Sequence, residues 1–148
     1  MATFKELFTA PIEEPLDTSS HPFDLIPHLI NTEENNFLTP PVTMNELKEA
    51  IAIMKPDSAP GPDGFTKIFF TSCWSIIKYN LLKMIKYSQK VNKLGGSTNS
   101  SFLALIPKEK SATTFHRFRS ISLCNTGYKI ITKIIATRLK RILPKIIP

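Results

Sequence analysis

The sequence predicts an α+β domain that is mostly helical and carries one short β-hairpin. Three stretches repeat apolar residues at helical spacing, which is typical of helices that bury one face. Two short runs in which apolar residues are frequent, 101–107 and 118–123, are separated by a polar link, which indicates paired strands. The 148 residues are 42% hydrophobic, enough for the core of one domain or of a piece of a larger one.

The charge is divided sharply between the two halves of the chain. Residues 1–63 contain 3 Lys/Arg and 11 Asp/Glu, a net charge of −8. Residues 64–148 contain 16 Lys/Arg and one acid, Glu109, a net charge of +15. A basic half of this kind indicates a polyanionic partner, most often nucleic acid, whereas the alternative is a solvated surface of Lys-rich helices. The near absence of acids in this half favours the polyanion.

The first 42 residues are interpreted as an acidic, Pro-rich leader or linker, and residues 43–148 as the domain. Prolines prevent long helices in the leader, where only short pieces such as 23–30 could pack. We expect this segment to lie on another part of the protein or to be partly disordered.

The first predicted helix begins at a capping box, Thr43-Met44-Asn45-Glu46, and ends before Pro56. Its predicted apolar face consists of Leu47, Ala50, Ile51 and Met54. A turn dense in Pro and Gly follows at 58–65, where prolines fix φ and glycines permit positive φ and close backbone approach. We expect Asp63 to brace its own turn.

Residues 66–93 read as helical, with a break near Cys73 and a stop at Leu94-Gly95-Gly96-Ser97. The apolar stripe is Trp74, Ile77, Leu81, Ile85 and Ser88, and four lysines lie away from it: Lys78, Lys83, Lys86 and Lys90. The two strands come next, and the loop 108–117 between them is expected to become ordered on binding.

The last segment, 125–143, is predicted to be one helix with Asn125 as its N-cap. Its predicted apolar face is Ile131, Ile134, Ile135, Leu139 and Ile142. A polar stripe contains Lys129, Lys133, Thr137 and Lys140, with Arg138 and Arg141 beside it. Two interpretations of this stripe stay open, an ordinary solvated face and a surface that contacts phosphates.

Other classes of function find little support. Cys73 and Cys124 are isolated and indicate reduced thiols of an intracellular protein. The N-terminus lacks the pattern of a signal peptide, and no apolar run approaches a membrane span. We therefore expect a protein of the nucleus or cytoplasm that has no membrane partner. The histidines are scattered, without a catalytic or metal-binding grouping.

Three blocks, in this order, carry a family resemblance. The first is Ala59-Pro60-Gly61-Pro62-Asp63-Gly64-Phe65, followed by Phe69-Phe70 and Trp74-Ser75-Ile76-Ile77. The second is Asn99 with Leu105-Ile106-Pro107-Lys108. The third is Phe118-Arg119-Ser120-Ile121-Ser122-Leu123-Cys124-Asn125, followed by Tyr128-Lys129-Ile130, Lys133 and Arg138-Leu139-Lys140. Together they resemble the opening blocks of non-LTR (LINE-type) retrotransposon reverse transcriptases, and the Leu123-Cys124-Asn125 wording is similar to plant members.

The resemblance implies a right-hand polymerase that copies RNA into DNA, of which this chain would be the fingers and the entrance to an incomplete palm. Its partners would be an RNA template and a DNA primer. By the family's pattern, Lys108 and Arg119 face the triphosphate of the incoming nucleotide. Contacts with the template or another nucleic acid would come from the remaining positions: Pro60, Gly61, Gly64, Lys129, Lys133 and Lys140.

The departures from the family concern both backbone and chemistry. Ser120 stands where the family has Pro, and Ser100, Ser101 and Phe102 stand where a Thr and an aliphatic residue are usual. The family holds two Mg²⁺ ions with aspartates, but no Asp follows Asp63 in this sequence. We therefore predict no catalytic or metal-binding residue, no cofactor and no polymerisation by this polypeptide alone.

Three hypotheses follow for the present chain. It could be a catalytically inactive fragment of a reverse transcriptase, a non-catalytic module that binds nucleic acid through its basic half, or a decayed relic that folds poorly. The first concerns origin and the other two concern behaviour, so more than one can hold.

Overall fold

The structure, a computed structural model, describes residues 29–147 as six helices, a two-stranded antiparallel sheet and a short 3-10 turn. The helices are α1 (Thr32–Leu38), α2 (Met44–Ala52), α3 (Lys67–Ser72), α4 (Trp74–Val91), α5 (Thr126–Leu139) and α6 (Leu143–Ile146). The strands are β1 (Ser101–Pro107) and β2 (Phe118–Cys124), and the 3-10 turn is Phe115–Arg117. None of the described helices has the length and hydropathy that crossing a membrane requires.

Helix α2 lies at the centre of the helical part and begins at the predicted capping box. The Thr43 hydroxyl accepts a hydrogen bond from the amide of Glu46 at 3.2 Å, and the Glu46 carboxylate accepts one from the amide of Thr43 at 2.9 Å. The predicted apolar face is confirmed, and it packs against α3, α4 and α5. The core is Val42, Leu47, Ala50, Ile51, Phe70, Leu81, Ile85, Ile130 and Ile134.

The predicted break at Cys73 is confirmed, since this residue separates α3 from α4. Its amide donates to the carbonyl of Phe69 at the end of α3, and its carbonyl accepts from Ile77 in the first turn of α4. Helix α4 ends at Val91 and is capped by Asn92, which adopts the left-handed conformation with φ 51° that Asn tolerates at helix ends. The helix therefore stops just before the Gly95-Gly96 pair that predicted its end.

Helix α1 lies inside the segment that was interpreted as a leader and was not predicted. Asn31 caps it by accepting from the amide of Glu34, whose carboxylate accepts from the amide of Asn31. The Asn-Thr-Glu-Glu sequence is itself a capping-box pattern, so the signal was present and the surrounding prolines concealed it. The predicted piece at 23–30 lies largely outside the described residues.

The prediction of one helix from 125 to 143 is wrong, because α5 ends at Leu139 and a turn separates it from α6. The residues that α5 and the following turn bury also differ from the predicted apolar face. Ile130, Ile134 and Ile142 are buried, whereas Ile135 is 52% exposed and Leu139 is exposed as well. Arg138, which was placed beside the polar stripe, is only 8% exposed.

Arg138 is buried because every side of its guanidinium finds an acceptor. Nε and Nη2 donate to the two carboxylate oxygens of Glu46 at 2.7 and 3.0 Å. Nη1 donates to the carbonyls of Leu38 and Pro40 at 2.9 and 2.7 Å. A planar fork suits such bidentate pairing, and Nη1 satisfies carbonyls at and just beyond the end of α1. Through these hydrogen bonds, Arg138 of α5 holds both α1 and α2 against α5.

The same cluster controls the charge state of Glu46. The hydrogen bonds from Arg138, helped by those from Thr43, lower the pKa of Glu46 from 4.5 to about 2, against the opposing effect of burial. A carboxylate whose pKa is lowered by folding contributes stability above its unfolded pKa. That contribution is lost as the pH falls from about 4.5 towards about 2.

We predict that Glu46→Gln lowers the free energy of unfolding by about 2 kcal/mol near neutral pH, because it leaves the buried Arg138 without its counter-charge. Glutamine keeps the capping box, so the loss reports on the ion pair. Urea unfolding followed by circular dichroism should show the difference from wild type shrinking as the pH falls through that window. Glu49→Gln, exposed on the same helix, is the matched control. Equal stability of Glu46→Gln and wild type near neutral pH would contradict this account.

Candidate nucleic-acid interface

The hairpin places the two predicted triphosphate contacts on one face. The two predicted strands are confirmed, with β1 and β2 paired so that Ile106 lies opposite Arg119. The main-chain amide of Lys108 continues this pairing by donating to the carbonyl of Arg117 at 2.8 Å. Because alternate residues share a face and Lys108 is two residues beyond Ile106, Lys108 and Arg119 are diagonal neighbours, at a typical separation of about 7–8 Å.

The loop after β1 is held by its own contacts. The Lys108 ammonium donates to the carbonyl of His116 at 2.8 Å, just before β2. Glu109 forms an ion pair with Arg117 at 3.2 Å and not with Arg119. Arg119 is exposed and has no ion pair with a residue in the described range.

Both faces of the hairpin carry uncovered apolar side chains. Phe102 is 57% exposed on the face that also carries Lys108, and Leu103 is 44% exposed on the opposite face. The described helices therefore do not cover the sheet, and most of its side chains are exposed to solvent.

The departure at Ser120 is compatible with the hairpin. Ser120 lies opposite Leu105, one step from the pair formed by Ile106 and Arg119. Hydrogen-bonded and non-hydrogen-bonded pairs alternate along an antiparallel ladder. The bond from Lys108 to Arg117 therefore places the Leu105–Ser120 pair at a non-hydrogen-bonded position. The amide of Ser120 is not needed for the ladder, so Ser and Pro both fit there.

The Pro-Gly loop packs on the start of α5. A Cβ atom added to Gly61 would lie 2.4 Å from the main-chain nitrogen of Asn125, so only glycine fits at this approach. Gly64 has φ +72° and donates its amide to the carbonyl of Gly61 at 3.0 Å. Asp63 accepts from the amide of Phe65 at 3.1 Å, which confirms that it braces its own turn.

Asn125 occupies the N-cap position of α5, but its side chain makes no capping hydrogen bond, contrary to the prediction. Its Oδ1 accepts from the amide of Asp63 at 3.1 Å, and its Nδ2 donates to the carbonyl of Ser97 at 2.7 Å. Asn125 is 2% exposed, and its side-chain amide joins the Pro-Gly loop and the α4–β1 connection to the start of α5. Beside it, the buried Thr126 hydroxyl donates to the carbonyl of Phe65 at 2.5 Å.

The residues predicted to contact nucleic acid differ in their exposure to solvent. Gly61 is buried, Pro60 is half-buried and Gly64 is exposed. Lys129 is half-buried and donates its ammonium to the carbonyl of Ala59 at 2.6 Å, so it holds the loop against α5. Lys133 is half-buried, and Lys140 is exposed just after α5. The described structure brings Lys129 and the Pro-Gly loop together, and it leaves Lys140 to the solvent.

A cavity of about 410 Å³ lies elsewhere, between α4 and α5. Its lining is mainly apolar and includes Leu38, Val42, Ile85, Gln89, Ile131, Ile134 and Arg138. Neither Lys108 nor Arg119 reaches it, so the cavity and the hairpin are separate features.

The described residues do not supply a magnesium site. Two Mg²⁺ ions require several converging oxygen ligands. Within residues 29–147 no three His, Cys, Asp or Glu side chains come together in a metal-binding arrangement. The donor set that the resemblance implies for the family is thus not formed by these residues, and no step through Mg²⁺ follows from them.

The fold and site define a small α+β unit with a cationic hairpin and a glycine-dependent loop. Comparison with known protein families gives no match. The chain is 29% identical over 144 residues to the transposon TX1 uncharacterized 149 kDa protein of Xenopus laevis. The matched region is 97% of this chain and 11% of that relative, so the chain spans about a tenth of its length. The chain is therefore a weak homologue of a transposon protein.

We predict that alanine substitutions at three glycines change the free energy of unfolding by different amounts, because one causes a steric overlap, one causes backbone strain and one causes neither. Gly61→Ala should lower the free energy of unfolding by about 3 kcal/mol, because the new methyl overlaps main-chain atoms of Asn125. Gly64→Ala meets no atom but keeps a positive φ, so it should cost about 1 kcal/mol. Gly95→Ala, in open space at an ordinary φ, should change the stability by less than about 0.5 kcal/mol.

The measurement is urea unfolding of the three variants beside wild type. Equal stability of Gly61→Ala and Gly95→Ala would show that the loop does not pack on α5 as described.

Proposed function

We propose that this chain is the fingers-side part of a non-LTR (LINE-type) retrotransposon reverse transcriptase. Its own role would be to bind nucleic acid and the incoming nucleotide rather than to catalyse transfer. The observation that carries the proposal is the position of Lys108 and Arg119 on one face of the hairpin, at the end near its turn. These are the positions that the motif resemblance assigns to the triphosphate. The homology to a transposon protein supports the origin in a transposable element, and the finer likeness to plant elements is part of the proposal.

The chemistry of the two side chains suits a triphosphate. The Arg119 guanidinium is exposed and offers a planar fork to two phosphate oxygens. The Lys108 ammonium is exposed on the same face, and its bond to the carbonyl of His116 uses one of its three donors. Two cations about 7–8 Å apart at the backbone can converge on adjacent phosphates, since both side chains are long.

The Pro-Gly loop is proposed to guide the template strand. Gly64 is exposed and can approach a backbone closely, whereas Gly61 acts through its packing on Asn125. Lys129 would position the loop through the carbonyl of Ala59. Lys133 and Lys140 would supply charge to the phosphates, with RNA template and DNA primer as the partners.

Catalysis is not part of the proposed role of this chain. The acids that the described structure positions serve structural contacts: Glu46 pairs with Arg138, Glu109 pairs with Arg117, and Asp63 braces its turn. Phosphoryl transfer would require carboxylates and Mg²⁺ from elsewhere. The nucleus or cytoplasm is the compartment that such a template and primer imply.

The relic hypothesis draws on the exposed apolar faces of the hairpin, which are typical of surfaces that have lost a partner. Against it stands a core that, within residues 29–147, contains nine buried residues from α2, α3, α4, α5 and the segment before α2. The polar groups inside the fold are also satisfied, since no buried side-chain N or O atom within the described range lacks a partner.

We predict that the double variant Lys108→Gln/Arg119→Gln weakens binding of a fluorescent deoxynucleoside triphosphate at least about tenfold, which corresponds to one charge-assisted contact. Fluorescence titration of the full chain measures this affinity. The matched control is Lys48→Gln/Lys55→Gln, which removes the same charge from exposed positions outside the hairpin. Equal affinities of the two double variants would overturn the assignment of the triphosphate site.

A further inference from the structure

Helix α4 presents an outer face that combines lysines with tyrosines. Lys83, Lys86 and Lys90 are exposed on it, together with Tyr79 and Tyr87. We refer to these five residues as the α4 basic face. The opposite side of the helix carries Leu81 and Ile85 into the core, so the orientation of α4 is fixed by packing.

The spacing along α4 brings the five side chains onto one strip. Tyr79 and Lys83 are four residues apart, as are Lys83 and Tyr87, and Lys86 and Lys90. Residues three and four apart are neighbours on a helix surface. At 1.5 Å per residue, Tyr79 and Tyr87 are separated by about 12 Å along the axis, with lysines between and beside them.

This strip differs from an ordinary solvated helix face. An exposed helix usually alternates acids and bases that form i,i+4 pairs, but α4 contains no Asp or Glu in its 18 residues. Its lysines are like-charged neighbours at i,i+3 and i,i+4, which destabilises the free helix. No ion pair joins them to another residue in the described range.

The tyrosines add a second, independent feature. Tyr79 is 68% exposed and Tyr87 is 65% exposed, so two aromatic rings stand in water where a polar residue would serve solubility better. The Lys78 ammonium lies 5.0 Å from the centroid of the Tyr79 ring, a cation–π contact on this ring. Lysines that track phosphates and aromatic rings that stack on bases are the two components of single-strand binding surfaces.

We infer that the α4 basic face binds single-stranded nucleic acid, with Lys83, Lys86 and Lys90 on the phosphates and Tyr79 and Tyr87 against the bases. The inference rests on the proposed function in taking a nucleic acid as the partner, but it uses a surface separate from the hairpin. Single strands fit better than duplexes because stacking on tyrosine requires an unpaired base. Single-stranded RNA and single-stranded DNA share this chemistry.

The test uses fluorescence anisotropy of the full chain with a uridine RNA homopolymer, a thymidine DNA homopolymer and a DNA duplex, over a range of salt concentrations. Cosedimentation with anionic phospholipid vesicles is measured in parallel. Lys83→Gln/Lys90→Gln should weaken single-strand binding about tenfold at low salt. The slope of log affinity against log salt concentration should become shallower by about 1.4, because each of the two lysines removed accounts for ~0.7. Tyr79→Ala/Tyr87→Ala should weaken binding about tenfold with an unchanged salt slope.

The matched charge control is again Lys48→Gln/Lys55→Gln, and circular dichroism checks that each variant keeps its helices. Tight binding of either single strand that both α4 variants weaken supports the inference. Three results would overturn it: α4 variants that behave as the charge control does, tighter binding of the duplex, or an effect of the α4 variants on anionic phospholipid vesicles alone.

Failure of this inference and failure of the proposed function give different results. If Lys108→Gln/Arg119→Gln weakens triphosphate binding while the α4 variants bind single strands normally, the triphosphate assignment stands without the α4 surface. If instead the α4 variants weaken single-strand binding while Lys108→Gln/Arg119→Gln binds the triphosphate normally, the α4 surface stands and the triphosphate assignment fails.

Discussion

The buried amide of Asn125 is the contact on which the arrangement of the proposed interface depends. It binds the Pro-Gly loop through Asp63 and the α4–β1 connection through Ser97, while its backbone begins α5. Gly61 makes this possible, because any larger residue would overlap Asn125. Since β2 ends at Cys124, immediately before Asn125, the hairpin is anchored at the same point. The Pro-Gly loop, the hairpin and α5 are therefore all held together at Asn125.

Three acids of the described residues form ion pairs. Glu46, Glu34 and Glu109 each pair with one cation of the basic half: Arg138, Lys145 and Arg117. Of these pairs only the first is largely buried, and it fixes α1 and α2 to α5. The contacts to Lys145 and Asn31 also lower the pKa of Glu34. Among the residues that the structure describes, Lys83, Lys86 and Lys90 of α4 and Arg119 have no ion pair and are exposed, so they present the positive charge that a polyanion would recognise.

Local signals predicted the elements of this fold well, because they act over a few residues. The capping box at Thr43, the break at Cys73 and the two strands all follow from short patterns. The inward face of α5 was mispredicted because Arg138 is buried by a carboxylate 92 residues away, which no helical period reveals. Asn125 lies at the predicted N-cap position, but its side chain binds Asp63 and Ser97 instead of capping the helix, and these partners are distant in sequence. The motif resemblance predicts Lys108 and Arg119, whereas the exposure of Tyr79 and Tyr87 depends on how α4 packs and has no local signal in the sequence.

The most direct test of the account is amide hydrogen exchange at Asp63, measured by NMR in wild type and in Asn125→Ala. The amide of Asp63 donates to the Asn125 side chain at 3.1 Å, so wild type should exchange it at least about tenfold more slowly than an unstructured peptide. Asn125→Ala should remove that protection while the amide of Ile134, deep in α5, stays protected. Exchange of the wild-type Asp63 amide at the rate of an unstructured peptide would contradict the central claim that Asn125 holds the Pro-Gly loop at the start of α5.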